Sequence, residues 1–281
     1  MDFFIETGFI NPQLTLMGGQ AFRFAQKDEH FCGVAGSRAV RLRFEENGIH
    51  LLGINEFDLP FWLEYFDIHT DYEAITARFS EDETMKAACK FARGLRILKQ
   101  EPFETLISFI ISQNNNIKRI TGIIGRLCEN FGEKISSEMY AFPSAETLAV
   151  LEPEALAPIR AGFRAKYIID AARKVHSGEI DLNALYELTA ENARLELMKI
   201  KGVGEKVADC VLLFAYGKSG AFPKDVWIKR ASERFYPDGL PECISGYEGI
   251  AQQYLFEYIR NFKDTKVTEE SLCSVQSAAT G

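Results

Sequence analysis

A change of hydrophobic period near Tyr72 constrains the fold of this chain more than any other feature of it. From about residue 10 to 70 the apolar residues come in short runs, Ala21-Phe22-Arg23-Phe24 and Ala39-Val40-Arg41-Leu42-Arg43-Phe44, the second followed by Glu46-Asn47-Gly48. Alternation at period two with an Asn-Gly turn predicts an antiparallel meander. Beyond Tyr72 the spacing becomes helical, clearest at Ile117, Ile120, Ile123, Ile124, Leu127, Cys128 and Phe131, with Gly132 as a stop. Further helices are expected from Ser144, Pro153, Arg164, Thr189, Glu205 and Tyr247. The chain therefore reads as α+β: an N-terminal antiparallel β-sheet domain over residues 1–95, then a mostly helical domain over 96–262. The remainder, 263–281, is polar, rich in small residues and expected to fray.

Two modest domains fit within 281 residues of which 47% are hydrophobic. A net charge of -8 argues against a protein that coats nucleic acid through bulk electrostatics, so any DNA contact must use local basic clusters. Clusters occur at Lys118-Arg119, Arg160 to Lys166, Lys199-Lys201-Lys206 and Lys224 to Arg230, and solvated helix faces can look the same. The six cysteines are widely separated and form no C-x-x-C pair, which suits reduced intracellular thiols and leaves no ligand set for an iron–sulfur cluster. Four scattered histidines argue against zinc. The N-terminus lacks the basic stretch and apolar run of a signal peptide, and no window reaches membrane-spanning length. The expectation is a soluble intracellular protein, cytoplasmic in a prokaryote, with no membrane partner.

Chemistry concentrates at residues 195–212. A helical Leu195 to Ile200, a Gly-broken turn at Lys201-Gly202-Val203-Gly204 and an apolar helix from Glu205 make a helix-hairpin-helix. Gly202 and Gly204 permit close backbone approach, and the following helix N-terminus offers N–H groups to a phosphate. A plain αα-hairpin with glycine at the bend is the other reading. Lys206 falls in the first turn of the second helix, where the dipole disfavours a cation; burial there would populate the neutral, nucleophilic amine. A solvated or phosphate-touching lysine is the alternative. Nineteen residues on, Phe222-Pro223-Lys224-Asp225 places Asp225 at a helix N-cap. Its carboxylate could equally orient an incoming group and offset positive charge developing on a sugar.

Gly202-Val203-Gly204, Lys206, Ala208 and Pro223 with Asp225 resemble the helix-hairpin-helix glycosylases with a Gly/Pro-Asp signature. The run Gly-Val-Gly-Glu-Lys-Val-Ala-Asp-Cys at 202–210 is especially similar to the 8-oxoguanine DNA glycosylases. In that family's Asn-rich segment, which Ser112 to Ile120 resembles, the first Asn fills the gap left by the extruded base and the Arg meets the opposite cytosine; this implies Asn114 and Arg119 in those roles. Gly162 to Tyr167 is similar to the wedge segment, implying that Phe163 inserts beside the flipped base and Arg164 contacts the orphan cytosine. Gly249 to Phe256 resembles the segment whose Gln reads the base edge and whose Phe stacks on it, here Gln252 and Phe256, while Cys210 matches the other stacking residue. Gly18 to Phe24 looks like the segment whose glycine carbonyl accepts the N7–H of oxidised guanine, here Gly19. Each of these residues also has a plain structural reading as loop, cap, core or solvated side chain.

The resemblance covers about Gly18 to Phe256 in the family's order. It departs from the human-type enzyme at Trp227, where a His sits, at Gln113, where a Ser sits, and in a shorter N-terminal domain. It implies a bifunctional DNA glycosylase/AP lyase that excises 8-oxoguanine opposite cytosine in duplex DNA, acting as a monomer with Lys206 as nucleophile and Asp225 as its partner. No redox cofactor or catalytic metal is required; a hairpin turn of this kind can hold a structural monovalent cation through its carbonyls. Rival readings are a glycosylase for alkylated bases or oxidised pyrimidines, and a non-catalytic DNA-binding protein. The alkyl-base enzymes generally lack the lysine, the pyrimidine enzymes usually carry cluster cysteines, and pure binding needs no lysine–carboxylate pair.

Overall fold

Strands β1 (Phe3–Glu6), β2 (Phe24–Lys27), β3 (His30–Ala35), β4 (Arg38–Glu45) and β5 (Gly48–Leu52) form one antiparallel sheet in the computed structural model, which describes residues 1–262. The expected tail, 263–281, lies outside the described residues. The sheet order β1-β5-β4-β3-β2 contains the expected meander as β2 to β5. β4 and β5 turn over at Glu46-Asn47, with Glu45 paired to Gly48. β1 lies before the stretch that reads as β-rich and adds to the far edge of β5, with Phe3 opposite Leu51 and Ile5 opposite Ile49.

The helices are α1 (Pro12–Met17), α2 (Leu59–Tyr65), α3 (Tyr72–Phe79), α4 (Glu83–Phe91), α5 (Pro102–Ser112), α6 (Ile117–Phe131), α7 (Ala145–Ala149), α8 (Ala165–His176), α9 (Ala190–Leu197), α10 (Glu205–Phe214), α11 (Val226–Phe235) and α12 (Glu248–Asn261). Expected starts recur as caps: Ser144 and Thr189 accept N–H bonds from the third residue onward, and α6 ends at Gly132. α1 and α2 interrupt the stretch expected to be strand; each carries proline in its first turn, where no N–H is needed.

Alternation buries Leu42, Ile49 and Leu51 of the sheet with Trp62, Tyr65 and Phe66 of α2 in one core. A second core gathers α3 to α6, α8 to α10 and α12, so α3 and α4 pack with the helices rather than on the sheet. Two buried polar groups join the halves. The Gln20 side chain donates to the carbonyls of Thr15 and Arg96 and accepts from the Leu98 N–H, and Gln100 donates to the Gln20 carbonyl. Arg23 lies 2.9 Å from Glu104, which also accepts from the Gly36 N–H at 3.0 Å. Burial raises the Glu104 pKa against the pull of Arg23. Among the described residues no helix is long and apolar enough to cross a membrane, and the five cysteines are free thiols.

Candidate active site

The hairpin is held by its own packing and hydrogen bonds. Gly202 sits at φ 81°, and a Cβ there would lie 2.5 Å from the Tyr167 ring, so the turn needs glycine on two grounds. The Lys201 N–H donates to Asp170 on α8 at 2.7 Å, and Arg194 on α9 meets Asp209 on α10 at 2.7 Å. Gly204 opens α10 in an extended conformation with no side chain capping the helix, which leaves first-turn N–H groups for an outside acceptor.

Lys206, in that first turn, is half-buried, and its ammonium stands 5.3 Å from the centre of the Phe109 ring on α5. Phe109 is itself buried, stacked on Phe214 at 5.3 Å and met edge-on by Phe22 from the N-terminal domain at 6.0 Å. Cys210 lies four residues on, one helical turn away; burial pushes its thiol pKa up, and the charge of Lys206 pulls the other way. Asp225 caps α11, accepting through Oδ1 from the Trp227 N–H at 3.0 Å and the Ile228 N–H at 2.9 Å. Its charge also acts on the Cys210 thiol, raising the pKa there. The cap uses only Oδ1 of the carboxylate.

The expected base-binding residues on α12 are tied to the segment before Asp225 and to the N-terminal domain. Gln252 on α12 is 2% exposed, donates to the Pro223 carbonyl at 3.1 Å and accepts from Gln253, which ties α12 to the segment leading into Asp225. Phe256 follows one turn later and carries the Arg260 guanidinium over its ring at 4.9 Å. Arg260 also donates to the Gly18 carbonyl at 3.2 Å. Gly19 has φ 107° and lies against Ile117 of α6, whose Cδ1 would be 3.1 Å from a Cβ at that position. Gly19 is therefore held between α12 and the Asn-rich segment.

That segment divides its asparagines. Asn116 caps α6 by accepting from the Arg119 N–H at 3.0 Å, Asn115 donates to the Ile111 carbonyl, and Asn114 stands exposed at φ 53°. Arg119 is exposed. Phe163 is 52% exposed and edge-on to Tyr167 at 6.0 Å, so the Phe163 ring and the hairpin glycine share one aromatic support. Arg164 is turned inward: it is 2% exposed and donates to the carbonyls of Gln113, Asn114 and Ala161. It ties the wedge to the Asn-rich loop instead of standing out beside it. Lys118, Arg160, Lys166, Lys199, Lys201, Lys224, Lys229 and Arg230 are exposed. Sequence reasoning missed Phe109, Gln20 and Arg260; the first two look like ordinary core and loop, and the third is one more charge on an amphipathic helix. A cavity of about 710 Å³ lined by Thr7, Tyr72, Arg93 and Arg96 shares no residue with this site.

Comparison with known proteins places the chain in a family. Residues 3–106 match the 8-oxoguanine DNA glycosylase N-terminal domain, and residues 107–239 match the HhH-GPD superfamily of base excision DNA repair proteins. An N-glycosylase/DNA lyase of Saccharomyces cerevisiae is 42% identical over 167 residues, 54% of this chain and 44% of the yeast protein. Across three N-glycosylase/DNA lyase relatives the chain spans from 44% to 66% of their lengths. Among solved structures, MBOgg1 in complex with a low-affinity DNA ligand superposes with TM-score 0.87 at 40% identity, over 92% of this chain and 95% of that one. The Clostridium acetobutylicum 8-oxoguanine glycosylase/lyase, bound to double-stranded DNA with cytosine opposite 8-oxoG, gives 0.85 at 34% identity, over 92% and 97%. With both domains matched in order and two solved relatives matched almost end to end, the chain belongs to the HhH-GPD superfamily of base excision DNA repair proteins, in its 8-oxoguanine DNA glycosylase branch.

Proposed function

We propose that this protein is a bifunctional DNA glycosylase/AP lyase that removes 8-oxoguanine paired with cytosine. The observation that carries the reading is Lys206, half-buried over the Phe109 ring in the first turn of the helix that the glycine hairpin opens, one turn from Cys210. The exposed Phe163 ring props a kinked duplex open, Asn114 fills the vacated space, and the hairpin N–H groups hold a phosphate while the base turns into the pocket. Neutral Lys206 attacks C1′ as the glycosidic bond breaks; the base leaves with the bonding electrons and takes up a proton. Asp225 offsets the positive charge developing on the sugar. The attacking nitrogen then loses a proton and the C1′–O4′ bond opens, O4′ taking up a proton, to leave a protonated Schiff base; this acidifies the C2′–H, whose loss expels the 3′ phosphate and nicks the strand. Cys210 and Phe256 sandwich the base, Gln252 reads its edge, and the Gly19 carbonyl accepts the N7–H that guanine lacks.

Support for the substrate comes from Arg260, which joins the Phe256 ring to the Gly18-Gly19 peptide, from Gln252 bonded to the segment before Asp225, and from the named activity of the solved relative. Single-turnover excision on duplexes carrying 8-oxoguanine or dihydrothymine, each opposite cytosine and adenine, tests it. Fastest cleavage is expected at 8-oxoguanine opposite cytosine. Preference for dihydrothymine would overturn the substrate while keeping the lysine chemistry.

A further inference from the structure

Arg260 ends α12 one helical turn beyond Phe256, and it makes three contacts that do not belong to an ordinary surface arginine. Its guanidinium covers the Phe256 ring at 4.9 Å, its Nη1 donates to the Gly18 carbonyl at 3.2 Å, and the same Nη1 meets Glu257 Oε1 at 3.2 Å. The Gly18 bond spans 242 positions of sequence and joins the N-terminal domain to α12. Glu257 is 5% exposed, and a Cβ at Gly18 would come within 3.1 Å of its carboxylate, so the Gly18 backbone lies directly on the Glu257–Arg260 pair.

We propose that Arg260 is a positioning residue for lesion specificity, fixing the distance between the Gly18-Gly19 peptide and the Phe256 ring; this rests on the proposed 8-oxoguanine reading of the same pocket. The Gly18 carbonyl belongs to the peptide that includes the Gly19 N–H, so anchoring it sets the plane from which the Gly19 carbonyl departs. At φ 107° Gly19 has wide conformational freedom of its own, and an outside anchor must hold that carbonyl in line. The guanidinium packs on one face of Phe256 and leaves the other for the base, with a cation–π contact holding the ring. Glu257, buried with Arg260 as its ion-pair partner, keeps the guanidinium from swinging out to solvent. One side chain thereby sets the spacing of two pocket walls that belong to different domains. A hydrogen-bonding site discriminates only when its acceptor is held where the distinguishing N–H arrives.

The test compares wild type with Arg260→Ala and Arg260→Lys on three duplexes containing 8-oxoguanine opposite cytosine, guanine opposite cytosine, and a preformed abasic site. The abasic substrate puts no base in the pocket, so strand cleavage there reports Lys206 and DNA binding alone. For Arg260→Ala, base removal at 8-oxoguanine should fall about tenfold, as for loss of one charge-assisted hydrogen bond. Discrimination between 8-oxoguanine and guanine should narrow, abasic cleavage should stay within about twofold, and Arg260→Lys should fall between Ala and wild type. Equal loss on the lesion and abasic duplexes would assign Arg260 to the fold in general and overturn the proposal. Unchanged lesion discrimination in Arg260→Ala would overturn it as well. If wild type cleaves the abasic duplex but spares 8-oxoguanine, the substrate reading has failed, and the specificity role assigned to Arg260 fails with it.

Discussion

Asp225 accepts both first-turn N–H bonds of α11 through one oxygen, so Asp225→Asn keeps a cap acceptor while removing the charge. Asn and Asp are near-equal caps, and the expected stability change is within about 0.5 kcal/mol, whereas Asp225→Ala costs about 1 kcal/mol. Base removal by the Asn variant should nevertheless drop by about a hundredfold or more, as for loss of a group that stabilises transition-state charge. Thermal melting beside single-turnover kinetics separates the two roles. An Asn variant that melts and reacts like wild type would reduce Asp225 to a cap. Lys206 poses the converse case: it is half-buried, with the Phe109 ring 5.3 Å from its ammonium.

At the scale of elements, the hairpin, the wedge and α8 form one unit, because Gly202 packs on Tyr167, Tyr167 on Phe163, and Lys201 on Asp170. Gly202→Ala must place a methyl group against that ring at a left-handed φ, with an expected loss of about 2 kcal/mol or more. For a chain of this size the melting temperature should fall by roughly 4–8 °C. DNA affinity should weaken in parallel, and an alanine variant that binds and melts like wild type would contradict the packing of hairpin on wedge. The hairpin, the Asp225 cap, the α6 stop and the β2 to β5 meander were legible because period, turn glycines and caps are local signals. β1 was not: its four residues, Phe3–Glu6, are ordered by pairing with β5 across more than forty positions. α1 and α2, of six and seven residues, are too short to establish a period. The positions of Asn114, Phe163 and Lys206 could be marked in sequence, but not the inward turn of Arg164, which depends on the Gln113 and Asn114 carbonyls fifty positions away. Gln20, Phe109 and Arg260 likewise acquire meaning only from what the fold sets beside them.

For the whole molecule, a net charge of -8 is compatible with the proposed DNA substrate because Lys118, Arg119, Lys166 and Lys224 are exposed. About four phosphate contacts imply that affinity for duplex DNA falls roughly a hundredfold as salt rises from about 50 to about 200 mM. Fluorescence anisotropy should show this slope, and Lys118→Glu with Lys224→Glu should reduce it by about two contacts. A slope unaffected by the double substitution would move the DNA to another face. The central claim, that Lys206 is the nucleophile at a damaged guanosine, is tested most directly by borohydride trapping on a duplex with one 8-oxoguanine opposite cytosine, followed by peptide mapping. The expected result is a covalent protein–DNA adduct on Lys206 that is absent from Lys206→Gln. Absence of an adduct in wild type, or an undiminished one in Lys206→Gln, would contradict it.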